Sequence, residues 1–163
     1  MTRHGLLFVC MGNICRSPLA KFVMLDLVQQ RGIGHAFDID SCGTGAWHAG
    51  DGADPRTVEV ARRHGLNPEH VARPVRPAVD FDRFGLLLAM DLDNQRNLLR
   101  VGAPEAKVKL LRSFDPALVG QPDHALQVPD PYYGGPEGFE HMHAMIGAAC
   151  RGLLDTLAPE PAP

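Results

Sequence analysis

Continuous apolar runs alternate along the chain with segments in which apolar residues recur at helical spacing. The run at residues 5–10, Gly-Leu-Leu-Phe-Val-Cys, is typical of a strand buried on both faces of a parallel sheet. After a polar stretch, apolar residues repeat at helical spacing over residues 20–28, and Gly32 marks the end of that pattern. Ser17 is the expected N-cap of this helix and Pro18 its first residue. The pattern therefore predicts a strand, a loop and a helix in succession.

Strand and helix patterns keep alternating along the rest of the chain. The helix between Asp54-Pro55 and His64-Gly65 has an N-cap, an initial proline and a terminal glycine, each in its preferred place. This alternation favours a single α/β domain, with a four-stranded parallel sheet and helices on both faces. Further strands are expected at residues 36–41, 84–90 and 107–110, further helices at 91–99 and 136–157, short turns over 66–83, a glycine-rich loop at 43–52 and a long loop at 113–136.

Length, charge and cysteine content limit the function classes. The 163 residues suffice for one domain with a real core, expected at 1–157, and the proline-rich tail at 158–163 is expected to be disordered. The net charge of −3 argues against nucleic acid or an acidic membrane as the main partner. No segment approaches the roughly 20 apolar residues of a membrane span. Because no export signal precedes the four cysteines, we expect a reducing, cytoplasmic setting.

A cysteine and an arginine lie six positions apart between the first strand and the first helix. A loop from Cys10 to Arg16 can direct its backbone N–H groups at one anion, at the start of the helix. The pKa of a thiol in that field falls below its usual value of roughly 8.5. Arg16 offers a planar fork for two oxygens of a phosphate-type anion. On spacing alone, a core cysteine beside a surface arginine is the alternative, but the flanking strand and helix favour an anion site. A zinc site is disfavoured because Cys10 and Cys15 have no second convincing ligand pair.

Other polar residues are expected at the same edge of the sheet. Parallel α/β sheets bind ligands beyond the carboxyl ends of their strands, where the loop after Cys10, the segment after Ser41 and the residues around Asp91 converge. The long loop that contains Asp130 is expected there too. By themselves, Asp91 is most simply a helix N-cap and Asp130-Pro131 a turn. A low-pKa thiol facing an anion suits group transfer, sensing or reduction, and the residues alone leave these alternatives open.

The chain resembles the low-molecular-weight protein tyrosine phosphatases over nearly its whole length. Two separate motifs near opposite ends make the resemblance specific. In chain order it is carried by Val-Cys-Met-Gly-Asn-Ile-Cys-Arg-Ser-Pro at 9–18, Asp40-Ser41, Trp47, Asp54-Pro55-Arg56, Arg63-His64-Gly65, Ala72-Arg73, Ala89-Met90-Asp91 with Asn94, and Asp-Pro-Tyr-Tyr-Gly at 130–134. The departures are small: Cys42 and Gly43 replace a glycine and small residues, and Gln95 stands where leucine is frequent.

The resemblance implies two-step hydrolysis of phosphotyrosine and other aryl phosphate monoesters. Cys10 would attack phosphorus as a thiolate and form a phosphocysteine, which water then hydrolyses. Arg16 and the loop amides would bind the phosphoryl oxygens and their developing charge. Asp130 would protonate the leaving phenolate, whose conjugate acid has a pKa near 10, and would then activate the water. The resemblance implies no metal and no other cofactor. Besides the two catalytic residues, the phosphate-binding loop after the first strand contains Met11, Gly12, Asn13, Ile14, Cys15 and Ser17.

Three aromatic residues are implied as the walls of the substrate pocket. Trp47, Tyr132 and Tyr133 would enclose a phenyl ring and make the pocket deep enough to favour phosphotyrosine over phosphoserine. The alternative for all three is ordinary surface or core packing. His48, next to Trp47, is interpreted as a solvated loop residue.

The resemblance also implies a supporting hydrogen-bond network that holds the loop in a strained shape. Its members would be Asn13, Ser17, Ser41 and His64. Taken singly, Ser17 is explained as a helix cap, and His64 as a helix C-terminal residue favoured by the dipole. Both kinds of role can coexist.

Cys15 lies close enough in sequence to pair with Cys10 under oxidation. The spacing and the resemblance together suggest that such a disulfide shields Cys10 from irreversible oxidation. Cys42 and Cys150 are expected to be packed thiols. The implied partner is a phosphotyrosine protein, either a tyrosine kinase or its substrate, and phosphate-like oxyanions should inhibit.

Two other functions compete with this interpretation. An arsenate reductase on the same fold uses a similar loop but needs further redox cysteines downstream, and residues 80–100 contain none. A redox sensor or phosphate-binding module would not need both Arg16 and Asp130. The sequence therefore favours the phosphatase.

Overall fold

The first strand of the chain lies inside a four-stranded parallel sheet. In the computed structural model, which describes residues 3–160, the strand order is β2-β1-β3-β4 and every neighbouring pair is parallel. Leu6 of β1 faces Ile39 of β2 on one side and Leu86 of β3 on the other. This confirms the predicted fold class. The strands are β1 (His4–Cys10), β2 (Phe37–Gly43), β3 (Leu86–Ala89) and β4 (Val108–Leu110), and the helices are α1 (Arg16–Gln30), α2 (Pro55–Arg63), α3 (Pro77–Arg83), α4 (Leu92–Arg100) and α5 (Pro136–Leu157).

The central strand contributes side chains to two separate cores. Leu6 and Phe8 pack with residues of α1 and α5 on one face of the sheet. Leu7 and Val9 pack on the other face with Phe81 of α3 and residues of α4. All four are at most 1% exposed, which explains the continuous apolar run, since a strand covered on both faces needs no polar alternation.

The first helix begins two residues earlier than the capping pattern predicted. Cys15 is the N-cap and makes no side-chain capping bond, whereas Ser17 is the second helical residue. The prediction of Ser17 as N-cap is therefore wrong. Its hydroxyl instead contacts Cys10 Sγ at 2.9 Å and accepts from Asn13 Nδ2 at 2.8 Å, so the side chain serves the preceding loop.

A helix occupies part of the segment for which only short turns were expected. Pro77 opens α3 at its first position, where its missing N–H and fixed φ are favourable. Asp80 is fully buried, and its carboxylate accepts from the Arg76 N–H at 2.7 Å and from the guanidinium of Arg73. The frequent prolines suggested an irregular segment, but one of them starts a helix.

The remaining predictions concern the long loop and the tail. The loop over residues 113–136 contains short 3₁₀ turns, and Val128 N–H bonds to Met90 O at 2.8 Å, which holds the loop against the end of β3. Ala158 O accepts from Arg31, and Glu160 pairs with the same guanidinium. Residues 161–163 of the predicted tail lie outside the described residues. Within residues 3–160, no helix is long and apolar enough to cross a membrane.

Candidate active site

The loop after β1 lies at the point where the sheet changes direction of winding. In the order β2-β1-β3-β4, the connections from β1 and β3 leave the sheet side by side, and ligands of such sheets bind there. Cys10 ends β1, and Asp91 follows β3. A cavity of about 260 Å³ opens beside Cys10, between the loop after β1, the loop after β2 and the long loop. The residues that line it are Cys10, Met11, Gly12, Ile14, Cys15, Arg16, Trp47, His48, Asp130, Tyr132 and Tyr133.

The backbone of this loop presents a row of N–H groups without protein acceptors. Among residues 3–160, no oxygen accepts a hydrogen bond from the backbone N–H groups of residues 11–17. Buried N–H groups in proteins are almost always paired, so consecutive free ones beside a buried arginine form a site for an anion. Asn13, with φ of 57°, is the only non-glycine residue at positive φ in the described chain. This left-handed conformation curves the loop and is strained for a residue with a side chain.

A buried hydrogen-bond network holds Asn13 in that conformation. Its amide Nδ2 donates to Ser17 Oγ at 2.8 Å and to Ser41 Oγ at 3.0 Å, and its Oδ1 accepts from Arg73 N–H at 2.9 Å. Ser17 in turn contacts Cys10 Sγ, so the network ends at the thiol. The structure thus brings together three of the four residues expected in the network.

His64 does not join this network. It lies at the C-terminal end of α2, where Nε2 contacts Glu140 at 3.0 Å. His70 takes the expected place, because its Nε2 lies 2.8 Å from the carbonyl oxygen of Asn13. Lys21 Nζ donates to His70 Nδ1 at 2.7 Å, which requires the proton of the neutral ring to be on Nε2. Burial, aided by the Lys21 charge, lowers the pKa of His70 to about 4.

Nothing in the sequence distinguished His70 from His64. His64 directly follows α2 and His70 lies in the segment between α2 and α3, and the residues around His70 show no pattern that indicates a partner 57 residues away. The one available signal was the adjacent Ala72-Arg73, which the resemblance already included.

Arg16 is held by carboxylates that belong to two other elements. The residue is 3% exposed, and its Nη1 donates to Asp91 Oδ2 at 2.6 Å and to Val128 O at 2.9 Å. Its Nη2 lies 3.8 Å from Asp130 Oδ2. Burial disfavours the charge, but the neighbouring Cys10, Asp91 and Asp130 outweigh it and raise the pKa of Arg16 above its ordinary value. Asp91 caps α4 through Oδ1, as predicted, and also orients Arg16 through Oδ2.

Asp130 is the exposed member of the charged cluster. Its side chain is 36% exposed and lines the cavity, while Oδ1 accepts from Tyr132 N–H at 3.1 Å. The residue therefore makes the turn that Asp-Pro suggests and also faces the loop that holds Cys10. A carboxyl group with access to both the cavity and water is suited to proton transfer.

Arg56 positions the segment after Asp130 and was not predicted as a site residue. Its guanidinium pairs with Asp54, donates to Tyr132 O at 2.9 Å and lies over the rings of Tyr132 and Phe139 at 5.3 and 4.6 Å. Asp54 N–H bonds to Ile14 O at 2.9 Å. The start of α2 thus connects the anion-binding loop to the segment that carries Asp130.

The aromatic residues line the cavity mouth and are largely exposed. Trp47 is 73% exposed, Tyr132 39% and Tyr133 94%, and the two tyrosine rings meet edge to face at 5.0 Å. The Trp47 ring lies directly over Gly45, where an added Cβ would come within 1.8 Å of it. His48 lies in the same loop as Trp47 with its side chain 37% exposed, and it also lines the cavity. Exposed rings around a buried anion site suit a ligand with an aromatic group next to its charge.

The other three cysteines are buried and free. Burial raises the pKa of the Cys15 thiol to about 12 and also raises the pKa of Cys42 and Cys150. Cys15 lines the cavity beside Cys10, while Cys42 and Cys150 belong to the cores. Cys10 is the cysteine that contacts the hydroxyl of Ser17 at the end of the network.

Comparisons with known proteins agree with this geometry. A profile of the family described as "Low molecular weight phosphotyrosine protein phosphatase" matches residues 5–162. A low molecular weight protein-tyrosine-phosphatase of Streptomyces coelicolor is 49% identical over 150 residues, 90% of this chain and 89% of that protein. A low molecular weight phosphotyrosine protein phosphatase of Schizosaccharomyces pombe is 41% identical over 160 residues, 97% of this chain and 100% of that protein.

A solved structure is similar over the same length. The crystal structure of a protein tyrosine phosphatase from Entamoeba histolytica, with Hepes in its active site, has a TM-score of 0.85 at 36% sequence identity. The match covers 94% of this chain and 96% of that one. The resemblance inferred from the motifs is therefore confirmed along the whole domain, and this chain belongs to the low molecular weight phosphotyrosine protein phosphatases.

Proposed function

We propose that Cys10 is the nucleophile of this phosphotyrosine phosphatase and forms a phosphocysteine intermediate. The observation that carries the proposal is the position of Cys10 Sγ beside seven unpaired loop N–H groups and the buried Arg16. In the first step the sulfur–phosphorus bond forms as the bond from phosphorus to the phenolic oxygen breaks. The loop N–H groups and Arg16 bind the three other phosphoryl oxygens, where charge is distributed in the transition state.

Asp130 acts in both steps as the proton carrier. It first gives its proton to the leaving phenolate, which becomes a neutral phenol. It then accepts a proton from the water that attacks the phosphocysteine, so that inorganic phosphate leaves and the thiolate is restored. Its access to the cavity, and the 3.8 Å between Oδ2 and Arg16 Nη2, support this role.

Substrate choice depends on the distance between the buried loop and the exposed rings. Trp47, Tyr132 and Tyr133 stand at the cavity mouth, so a phenyl ring spans the gap that a serine methylene leaves unfilled. The substrate is thus a phosphotyrosine protein, such as a tyrosine kinase or the product of one. Phosphate-like oxyanions compete for the loop, in keeping with the sulfonate buffer found in the active site of the Entamoeba enzyme.

Cys15 is the redox partner of Cys10. Both line the cavity, and the Cys15 thiol stays protonated at neutral pH because its pKa is about 12. When peroxide oxidises Cys10 to a sulfenic acid, attack by the Cys15 sulfur releases water and leaves a reducible disulfide. Four free cysteines suit the cytoplasm, where such a disulfide can be reduced again.

Turnover of phosphotyrosine, phosphoserine and arsenate, measured side by side, tests the proposal. We expect hydrolysis of phosphotyrosine, much slower hydrolysis of phosphoserine and no thiol-dependent reduction of arsenate. Cys10→Ser should abolish turnover while inorganic phosphate still binds, as measured by calorimetry. Residual turnover in that variant would remove Cys10 as nucleophile, and arsenate reduction would favour the competing activity.

A further inference from the structure

Two histidines and a glutamate converge where α2 ends against α5. His64 follows the last residue of α2, and Glu140 and His143 lie three residues apart on α5, so they share one helix face. One ligand atom from each of the three lies within 4.8 Å of the other two. No other group of three His, Cys, Asp or Glu side chains within residues 3–160 converges in this way.

The proposed phosphatase chemistry gives this cluster no role. None of its members lines the catalytic cavity, and His64 makes no contact with the network of Asn13. The rings of His64 and His143 stack with centroids 3.6 Å apart and planes 12° apart, and Glu140 accepts from His64. Two imidazole nitrogens and one carboxylate oxygen form a ligand set that zinc commonly takes in proteins.

We propose that His64, Glu140 and His143 bind a divalent transition metal ion, with zinc as the best fit, and that the ion links α2 to α5. Water would occupy the fourth position of a tetrahedral site. In a tetrahedral site with bonds of about 2.1 Å, two ligand atoms lie about 3.4 Å apart. The three ligand atoms already lie within 4.8 Å of one another, so binding needs them to close by roughly 1.4 Å at most. The stacked rings must turn so that their nitrogens aim at one point, which the broad χ2 preference of histidine permits.

A neighbouring arginine orients the carboxylate of Glu140. Arg63 donates to Oε1 of Glu140 at 2.5 Å and also pairs with Glu59, which leaves Oε2 of Glu140 directed at His64. The guanidinium thus orients the ligand, as outer partners of metal sites do, while its positive charge opposes the ion. Arg151 is a second positively charged residue, and its charge lies near His143.

Metal binding would replace the hydrogen bond between His64 and Glu140 with two coordinate bonds.

Calorimetric titration of zinc chloride into the full chain tests the site. The Cys10→Ser background removes the thiol proposed as the nucleophile, so that zinc binding by that thiol does not mask the result. We expect one zinc per chain and a zinc-dependent rise in the thermal midpoint, because a ligand of the folded state stabilises it. Glu140→Gln, which keeps the shape of the side chain, and His143→Ala should each weaken binding by at least about tenfold.

His141→Ala is the matched control, because His141 is exposed on the same helix and belongs to no cluster. It should bind zinc like the parent. Unchanged affinity in both Glu140→Gln and His143→Ala, or no binding by the folded parent, would overturn the proposal. Circular dichroism without metal shows whether each variant is folded.

Discussion

The burial of His70 beside Lys21 makes the stability of the fold depend on pH in a defined window. The pKa of His70 falls from the ordinary value of 6.5 to about 4 in the folded state, mainly through burial and secondly through the Lys21 charge. Above pH 6.5 the ring is neutral in both states and contributes no pH dependence. Between pH 6.5 and 4 the unfolded chain binds a proton that the folded chain does not, so stability falls as pH falls. The shift corresponds to a loss of about 3 kcal/mol at most across this window.

Lys21→Met should flatten that part of the stability profile. At pH 7 the variant loses one hydrogen bond, which costs about 1 kcal/mol. Without the ammonium group 2.7 Å from Nδ1, the folded-state pKa of His70 rises toward its ordinary value. The variant therefore loses less stability than the parent on acidification, and the difference between the two narrows from pH 7 to pH 4.5.

Urea unfolding at several pH values between 7 and 4.5 measures the effect, with the midpoint and slope fitted at each pH. His70→Gln should remove the His70 contribution entirely and give the shallowest profile. His35→Gln is the control, since His35 is exposed, and it should reproduce the parent's pH dependence. Parallel profiles for the parent and Lys21→Met would refute the assignment of part of the pKa shift to the Lys21 charge. Other histidines and carboxylates titrate in every variant, so only the differences between profiles are interpreted.

Two further predictions concern the reaction itself. Asp130→Ala should lower kcat for phosphotyrosine by about 10²–10⁴-fold, but less for an aryl phosphate with an acidic leaving phenol, in a comparison of the two substrates; equal losses would remove the general-acid role. Mild peroxide treatment should give a Cys10–Cys15 disulfide by mass spectrometry. Over-oxidised Cys10 beside a free Cys15 would contradict the protective role.

Local sequence patterns were sufficient to predict most of the helices and strands. The apolar run of β1 and the spacing of α1 and α5 depend on neighbours within a few turns, and these elements appeared close to the predicted bounds. Ser17 was wrongly predicted as the N-cap because a capping rule considers only neighbouring residues, whereas the hydroxyl of Ser17 lies 2.9 Å from Cys10 Sγ. The short helix α3 was missed because Pro77, a helix breaker elsewhere, is favourable at a first position.

Long-range polar partners could not be obtained in the same way. The bond between Arg16 and Asp91 joins residues 75 positions apart, and the sequence suggested only a cap for Asp91. His70 and His64 are chemically identical, and only the path of the chain decides which one reaches Asn13. The roles of Arg56 and His48 likewise depend on how the loops pack around the cavity.

The strained conformation of Asn13 also has a consequence for how the chain folds. Its partners come from α1, β2 and the segment around residues 70–73, so the loop reaches its working shape only after these distant parts have assembled. A short fragment around the loop lacks Ser41, His70 and Arg73, which hold Asn13 in place. During refolding, recovery of phosphate binding should therefore follow the assembly of α1, β2 and residues 70–73 around the loop, and should not precede it.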